Sequence, residues 1–398
     1  MNDKNTDKSS DGNPVVKVQT FKSGKVSFTR VFDREAISNN YILFEALLLS
    51  LSQMPILPAL ASRLDAELVR RAIFGTAAIE GNPLSEERVA EIIEEPSLNG
   101  LRERAEQEIV NLKEAYRLHA VPGPAKDRET LAVSEAFIRE INALVTRGVG
   151  GEFHAPGQYR DHPVEVGDLG HGGVYKPPKI RADIETLMAA FVDWLNSEEV
   201  RKEWPPVRAA LAHYHLALIH PFGDGNGRTA RLLEVAIMAR AGYRYVPTML
   251  SNYYYRNIDA YYVAFRECER SREHDLTPFL RFFSEGLREC VLDLQTTINT
   301  HIRLLALGDH YRTLRQKKVL GQRQHDLLMI LLQTPDKVLQ PPALRSDPLL
   351  APLYRKTSEA TPRRDLKRLQ ELRLLVPADG GGLRLNQFTG FAADFVGS

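Results

Sequence analysis

Hydrophobic residues recur at helical spacing over most of this chain. The pattern is largely helical from Asp33 to about Lys318, and one segment places apolar side chains three and four positions apart. These residues are Val207, Leu211, Tyr214 and Leu218. The segment 232–240 is apolar almost all round, which predicts a buried helix, and Gly242 follows it as a C-terminal stop. The pattern therefore predicts a mainly α protein.

The N-terminus departs from this helical pattern. Residues 1–14 are polar, small and charged, and they are expected to form a disordered tail. Two short segments rich in β-branched residues follow, at 15–21 and 26–32, and a turn containing Gly24 separates them. Such a pair predicts a β-hairpin.

The C-terminal portion, residues 320–398, changes character again. An apolar helix at 325–333 precedes a proline-broken loop, and a second helix follows with Ser358 as its predicted cap. A glycine turn between two strand-like pieces ends the pattern. The second helix has a buried stripe and an outward basic face, formed respectively by Leu366, Leu369 and Leu372 and by Arg363, Arg364, Lys367 and Arg368. This order resembles a winged helix–turn–helix, whose basic face could meet DNA phosphates or dock a protein.

A further β-hairpin is predicted within the helical region. Val164 and Val166 alternate with polar residues, a short β segment follows at 173–176, and several glycines punctuate the turn between them. The pattern fits an ordinary surface hairpin as well as a functional flap.

Composition limits the remaining possibilities. The chain has 398 residues, a net charge of +1 and 43% hydrophobic residues, so it can form two or three globular domains and has no overall basic charge favouring nucleic acid. Two cysteines, Cys268 and Cys290, are too few for a disulfide framework and are expected to be buried free thiols. Neither a signal peptide nor a membrane-spanning run is apparent, so a cytoplasmic protein is expected.

The residues with the clearest chemistry lie between His220 and Arg231, in the string HPFGDGNGRTAR. Three glycines at every second position allow backbone N–H groups to surround an anion, and the next helix presents its N-terminus to the same place. The guanidinium groups of Arg228 and Arg231 can each bind phosphate oxygens in a bidentate manner. The carboxylate of Asp224 is a hard oxygen ligand for a phosphate-bound Mg²⁺. A neutral imidazole at His220 could take a proton from an attacking hydroxyl, while Phe222 is expected to point into the core.

This string resembles the signature HPFx(D/E)GNGRxxR of the Fic family at every defined position. Fic proteins typically transfer AMP from ATP to a protein hydroxyl. The resemblance implies His220 as the general base and Asp224 as the Mg²⁺ ligand. It also implies that the phosphates of ATP are held by Gly225, Asn226, Gly227, Arg228 and Arg231.

A second motif precedes the first. In the string TAAIEGN, Thr76 and Glu80 lie four apart on one helix face, Gly81 begins a turn, and Ser85 can cap the next helix. The composition fits an exposed glutamate in a helical turn. The string also resembles the inhibitory motif (S/T)xxxE(G/N) of Fic proteins, which implies that Glu80 pairs with Arg231 and keeps it from the γ-phosphate.

Two further regions gain a role from the resemblance. The hairpin at 164–176 is similar in placement to the Fic flap, which aligns a target chain by strand addition, and the candidates for this clamp are Val174 and Tyr175. The tyrosine-rich segment after the motif corresponds to the adenine pocket. Tyr262 is the candidate there, with Tyr261 and Asn257 in reserve.

The sequence therefore predicts a Fic-type helical domain with a β-hairpin flap and a winged helix. The predicted divisions are a tail at 1–14, an inhibitory segment at 15–120, the Fic domain at 121–300, a linking helix at 301–319 and the winged helix at 320–398. The predicted function is transfer of AMP from Mg·ATP to a Ser, Thr or Tyr hydroxyl of a target protein.

Three alternatives remain open. The chain could transfer another phosphate-containing group or remove AMP, although the intact Gly227 speaks against the kinase-like Doc branch, in which this glycine is replaced. It could instead be a DNA-binding regulator, using residues 358–385, whose Fic domain modifies only itself.

Overall fold

The computed structural model describes residues 14–54, 56–95, 103–120, 122, 131–149, 151, 154–167, 173–271 and 274–388. Residues 1–13 of the predicted tail lie outside these ranges, as do the predicted turn residues Gly170 and Gly172. The chain divides into two compact units, Met1–Leu294 and Gln295–Ser398. Helices dominate both, as the hydrophobic pattern predicts.

The helices are α1 (Arg34–Ser52), α2 (Pro58–Ile79), α3 (Glu86–Glu94), α4 (Arg104–His119), α5 (Glu135–Val145), α6 (Arg181–Leu195), α7 (Glu198–Arg201), α8 (Pro205–Ile219), α9 (Asn226–Arg240), α10 (Val246–Arg256), α11 (Ile258–Arg270), α12 (Thr277–Gln316), α13 (Gln322–Leu331), α14 (Ala351–Tyr354) and α15 (Ala360–Glu371). No helix in the described ranges combines the length and the apolar character needed to cross a bilayer.

The predicted N-terminal hairpin is confirmed. Strands β1 (Val15–Gln19) and β2 (Lys25–Thr29) pair antiparallel, and Gly24 has the positive φ, +76°, that the turn needs. The carboxylate of Asp183, on α6, accepts hydrogen bonds from the turn N–H groups of Phe21, Lys22 and Ser23. This contact fixes the hairpin turn on the first unit.

The core of the first unit holds the two helices that flank the glycine loop. Helix α8 packs against α9, and α9 is buried along almost its whole length, as predicted. It ends at Arg240, and Gly242, just beyond the cap, has φ +91° and donates its N–H to the oxygen of Ala239 at 3.0 Å. Helices α2, α4 and α5 pack on α9 through fully buried residues that include Ile73, Ile109, Ile141, Leu232 and Val235.

A glycine sets the position of α2. Helix α2 packs closely on α10, where a Cβ atom at Gly75 would lie 2.9 Å from the backbone oxygen of Ser251. The hydroxyl groups of Thr76, Tyr116 and Ser251 form a buried chain with distances of 3.0 and 2.9 Å. The C-terminal end of α2, where Glu80 lies, is therefore held firmly in the first unit.

The second unit has its own core. Buried leucines of α13, α15 and the final hairpin pack together, and the strands β3 (Leu375–Pro377) and β4 (Leu383–Leu385) pair antiparallel around three glycines with positive φ. Leu366 and Leu369 are buried and Leu372 packs against them, while the four basic residues predicted to face outward are exposed. This arrangement agrees with a winged helix, which as a fold assignment stays a prediction.

Two details of this region differ from the sequence analysis. The N-cap of α15 is Glu359, and the hydroxyl of Ser358 bonds the hydroxyl of Thr361 instead of a backbone N–H, so the predicted cap is wrong. The predicted division at residue 300 falls inside α12, whereas the compact units divide after Leu294. A continuous helix carries no pattern break to mark such a boundary.

Candidate active site

His220 is the C-terminal cap of α8 and has a left-handed backbone, with φ +49° and ψ 56°. Its Nδ1 atom lies 3.2 Å from the backbone oxygen of Ala217. A carbonyl can only accept, so Nδ1 carries the proton and Nε2 is left with its lone pair. Burial lowers the pKa of His220 to about 4. The imidazole is therefore neutral at physiological pH, as a general base requires.

The loop after His220 is closed by Asn226. Its Oδ1 accepts from the N–H of Phe222 at 2.9 Å, and its Nδ2 donates to the oxygen of the same residue at 2.8 Å. Phe222 is fully buried, as predicted. The side chain of Asn226 is thus engaged with the loop itself, which differs from the predicted contact with phosphate.

Asn142, on α5, supports the loop from the other side, and the sequence analysis missed it. Its Nδ2 donates to the oxygen of Asp224 at 2.9 Å, and its Oδ1 accepts from the N–H of Gly157 at 3.0 Å. At Gly225, φ is +75° and a Cβ atom would lie 2.5 Å from the side chain of Thr146, so only glycine fits. A polar residue on the apolar face of an amphipathic helix was the available signal for Asn142.

Asp224 and Arg228 form an ion-pair cluster at the start of α9. Oδ1 of Asp224 accepts from the N–H of Gly225 at 2.6 Å and from Nη2 of Arg228 at 2.5 Å. Its Oδ2 lies 3.4 Å from Nη2 of Arg104. Arg228 also pairs with Glu108 at 2.5 Å, a partner that sequence spacing could not identify. The cluster holds Arg228 in place beside the helix N-terminus.

Arg231 is almost completely buried and pairs with Glu80, as predicted. Its Nη2 lies 2.6 Å from Oε1 of Glu80 and 3.2 Å from the backbone oxygen of Thr76. Burial opposes ionisation of Glu80, but the guanidinium groups of Arg231 and Arg228 outweigh it, and the pKa of Glu80 lies below its usual value. The pair is therefore charged on both sides.

Gly227 provides the space for that carboxylate. A Cβ atom at this position would overlap Oε1 of Glu80 and lie 3.3 Å from its Cδ atom. The carboxylate of Glu80 consequently lies against the first turn of α9, where the free N–H groups of the helix attract anions.

A cavity of about 310 Å³ adjoins these residues. Its lining includes His220, Gly227, Arg231, Tyr261 and Tyr262, together with Glu80 and the flap residue Tyr175. Tyr262 is part of this lining, and its role beside adenine stays a prediction, whereas Asn257 is bonded to the backbone oxygen of Tyr253 at 2.9 Å and is not among the lining residues. A larger cleft of about 590 Å³, beside Arg30 and Trp204, contains none of the motif residues.

A buried hydrogen-bond chain supports the cavity wall. The hydroxyl of Tyr261 lies 2.9 Å from Nε2 of His213, and Nδ1 of His213 lies 2.6 Å from Glu234, which also accepts from Tyr254. No sequence motif marked these residues, because they lie on four different helices and only the packing of those helices brings them together.

Among the flap residues that the structure describes, Val166 and Tyr175 form an antiparallel pair. The N–H of Val166 donates to the backbone oxygen of Tyr175 at 2.9 Å, and the N–H of Tyr175 donates to that of Val166 at 2.8 Å. The hydroxyl of Tyr175 donates to the backbone oxygen of Leu218 at 3.0 Å. Val174 is 37% exposed. Tyr175 is therefore already paired through its backbone, so its neighbour Val174 is better placed to meet a further chain.

The comparisons with known proteins agree with this geometry. The sequence model of the Fic/DOC family matches residues 132–238. A protein adenylyltransferase Fic from Culex quinquefasciatus is 33% identical over 247 residues, covering 62% of this chain and 45% of that protein. A protein adenylyltransferase Fic from Nematostella vectensis is 34% identical over 213 residues, covering 53% of this chain and 45% of that protein. This chain therefore spans less than half the length of these curated relatives.

Solved structures support the fold. A Fic family protein from Desulfovibrio desulfuricans G20 matches 90% of this chain and 97% of its own, with 23% identity and a TM-score of 0.53. The structure of Fic-1 from C. elegans matches 67% of this chain and 73% of its own, with 26% identity and a TM-score of 0.52. The prediction of a mainly α, Fic-type fold is confirmed, and this chain carries a domain of the Fic/DOC family.

Proposed function

We propose that this protein transfers AMP from ATP to a hydroxyl group of a protein. The relatives that match it over part of their length are named protein adenylyltransferases. The observation that carries the proposal is the placement of a neutral His220, with Nε2 available, on the same cavity as Arg231 and the first turn of α9. A base beside an anion site is what hydroxyl attack on a nucleotide needs.

In the proposed reaction the target hydroxyl oxygen attacks the α-phosphorus of ATP. Nε2 of His220 accepts the hydroxyl proton, while the bond from the α-phosphorus to the β-phosphate oxygen breaks and pyrophosphate leaves. The N–H groups of Gly227 and its neighbours, with Arg228 and Arg231, would hold the phosphates, and Tyr262 would lie beside adenine. Most of the catalysis would come from positioning and charge stabilisation.

Asp224 suits a Mg²⁺ ion that arrives with the nucleotide. No group of three or more His, Cys, Asp or Glu side chains able to hold a metal occurs in the part of the chain that the structure describes. Mg²⁺ is usually held by one or two carboxylates together with substrate phosphates, so a single aspartate fits it. Oδ2 of Asp224, with its long contact to Arg104, is the oxygen that we assign to the metal. When bound, Mg²⁺ would neutralise phosphate charge.

The flap would align the target chain. Strand addition needs backbone groups at an open edge, and Val174 is exposed beside the paired Tyr175.

The resting enzyme would be autoinhibited by Glu80. Its carboxylate pairs with Arg231 and fills the space beside the first turn of α9, where the phosphates of ATP would bind. A cytoplasmic location stays a prediction.

A second function is supported by the second unit. Four cations of α15 are exposed on one helix, and the hairpin of β3 and β4 lies next to it in the sequence. We propose that residues 358–385 contact DNA phosphates, with docking to an acidic protein as the alternative. The chain could then act as a DNA-binding regulator that modifies itself.

Two labelled nucleotides test the main proposal. The protein and a native cell extract are incubated with ATP carrying its label on either the α- or the γ-phosphate, and intact mass is measured in parallel. AMP transfer labels protein from the α-position only and adds one AMP unit. Because kinases of the extract also use ATP, label from the γ-position would indicate phosphate transfer by this protein only where it is lost in His220→Ala. Label from the α-position that survives in His220→Ala would exclude this active site.

A further inference from the structure

Arg160 is a buried arginine that contacts the catalytic loop, although no motif drew attention to it. It is only 3% exposed. Its Nε donates to the backbone oxygen of His220 at 2.8 Å, and its own backbone N–H donates to the oxygen of Pro221 at 2.9 Å. Its Nη1 donates to the oxygen of His162 at 2.7 Å, which fixes the guanidinium from the other side. One residue thus bonds two consecutive carbonyl groups of the loop.

The backbone of His220 requires such support. Left-handed φ and ψ angles are unfavourable for a residue with a Cβ atom, and they persist only where the surroundings hold them. At His220 the N–H bonds Leu216 and the ring bonds Ala217, both within α8, whereas the carbonyl is held by Arg160 from outside the helix. A buried guanidinium makes a strong, directional donor for this purpose.

We propose that Arg160 is a positioning residue that holds His220 in the conformation from which Nε2 accepts the proton. The inference rests on the proposed AMP transfer, and it adds a residue outside the motif to the machinery of that reaction. Arg160 acts through the backbone of His220. Its loss should therefore affect the rate of transfer much more than the binding of ATP.

Arg181 offers a matched control. It too is an arginine that bonds a backbone carbonyl of this segment, since its Nε and Nη2 both donate to the oxygen of Tyr159, the residue before Arg160. It supports the same stretch of chain, and within the described residues its side chain makes no hydrogen bond to the catalytic loop. A general loosening of the segment should therefore appear equally in Arg181→Ala and Arg160→Ala.

The experiment compares these two variants, each in the wild-type and the Glu80→Gly backgrounds. We expect Arg160→Ala to lower kcat on the order of 10²-fold, as for a small misplacement of a reacting group. KM for ATP should change little, and Arg181→Ala should keep most of its activity. Millimolar guanidinium should restore part of the rate in Arg160→Ala, because it can enter the space left by the side chain. Equal losses in both variants, or an unchanged kcat in Arg160→Ala, would overturn the inference.

A measurement without turnover separates this inference from the proposed function. In protein labelled with ¹⁵N-histidine, the ring shifts of His220 report which nitrogen carries the proton, and His220→Gln identifies its signals. The parent should show a fixed Nδ1–H form, and Arg160→Ala an averaged one. If the parent transfers no AMP, the proposed function fails while this comparison still decides the role of Arg160. If Arg160→Ala does not fold, Arg160→Lys is compared by the same two measurements.

Discussion

Oε1 of Glu80 lies 2.6 Å from Nη2 of Arg231, and this ion pair joins the C-terminal end of α2 to the first turns of α9. Arg231 is nearly fully buried, whereas the side chain of Glu80 is 27% exposed, so water screens the pair from the Glu80 side only. The same guanidinium is the group proposed to hold the terminal phosphates of ATP. One contact therefore links the segment that we predict to be inhibitory to the proposed nucleotide site.

Replacing Glu80 should activate the enzyme. In Glu80→Gly, Arg231 is free to bind the γ-phosphate, so self-labelling should rise by about 5- to 150-fold, the usual range for coupled sites. ATP should also bind more tightly, because the same arginine serves binding and chemistry. Calorimetry with ATP and a labelling time course measure the two effects.

Arg231→Ala in the Glu80→Gly background provides the control. Two residues that act through one contact should not give additive effects, so this second change should cancel the gain. If the Glu80→Gly variant labels itself no faster than the wild type and binds ATP no more tightly, Glu80 is not inhibitory.

His220→Ala should abolish transfer while ATP binding persists. Loss of a general base lowers the rate by roughly 10²- to 10⁴-fold, whereas the helix N-terminus and the arginines still hold the nucleotide. Single-turnover labelling and calorimetry on the purified variant separate these effects. Labelling at the parental rate would contradict the assignment of His220.

The pH dependence of transfer should reflect the unusual environment of His220. Burial lowers the pKa of this imidazole to about 4. The neutral form is the active base, so the rate should fall only as pH falls through about 4. We expect no inflection near pH 6.5, where an unshifted histidine titrates, in kcat/KM for Mg·ATP, because this quantity reports the protein before the nucleotide binds. An inflection at about 6.5 that disappears in His220→Ala would contradict this.

The sequence predicted the parts of the site that local spacing encodes. His220, Asp224 and Arg231 lie in one contiguous string, and the resemblance of a second string to the Fic inhibitory motif implies the pair of Arg231 with Glu80. Asn142, Glu108 and Arg160 could not be found in this way, because each meets the loop through the packing of a separate segment. The resemblance implies a phosphate contact for Asn226, and its bonds to Phe222 could not be predicted because they depend on the closed shape of the loop.

Removal of Mg²⁺, or of its proposed ligand, should suppress transfer. Asp224→Asn keeps the size of the side chain but removes the charge that would hold the metal. The same change weakens the ion pair of Asp224 with Arg228, so removal of the metal from the parent is the test of the metal alone. Activity should be low in this variant and absent from the parent in excess chelator, with recovery of the parent when Mg²⁺ is restored. Full activity of the parent in chelator would exclude a metal-dependent mechanism.

DNA binding, if it occurs, should depend on α15. Arg364→Ala with Lys367→Ala in the full chain should weaken binding to a fluorescent duplex, and the affinity should fall steeply with salt because phosphate contacts release counterions. Arg71→Ala with Lys202→Ala removes two exposed cations from the first unit and serves as the control. His220→Ala should bind DNA like the wild type. A salt-independent interaction, or none with any duplex, would favour protein docking.

Gly227 allows the position of Glu80 to be tested through stability alone. A methyl group there would overlap Oε1 of Glu80 and lie 3.1 Å from Nη1 of Arg231. In the wild type, Gly227→Ala should therefore displace the carboxylate, lose its pair with Arg231 and lower the midpoint of thermal unfolding. In the Glu80→Gly background the carboxylate is absent, and alanine should stabilise the first turn of α9 by roughly 0.5–1 kcal/mol through its better helix propensity. The effects of the two changes on the free energy of unfolding should thus be non-additive, by an interaction energy of about 0.5–3 kcal/mol as found for contacting residues.

Unfolding midpoints of the wild type, both single variants and the double variant give this interaction energy without any activity assay. Additive effects would mean that Glu80 does not occupy the space above Gly227 in solution, whatever its effect on labelling.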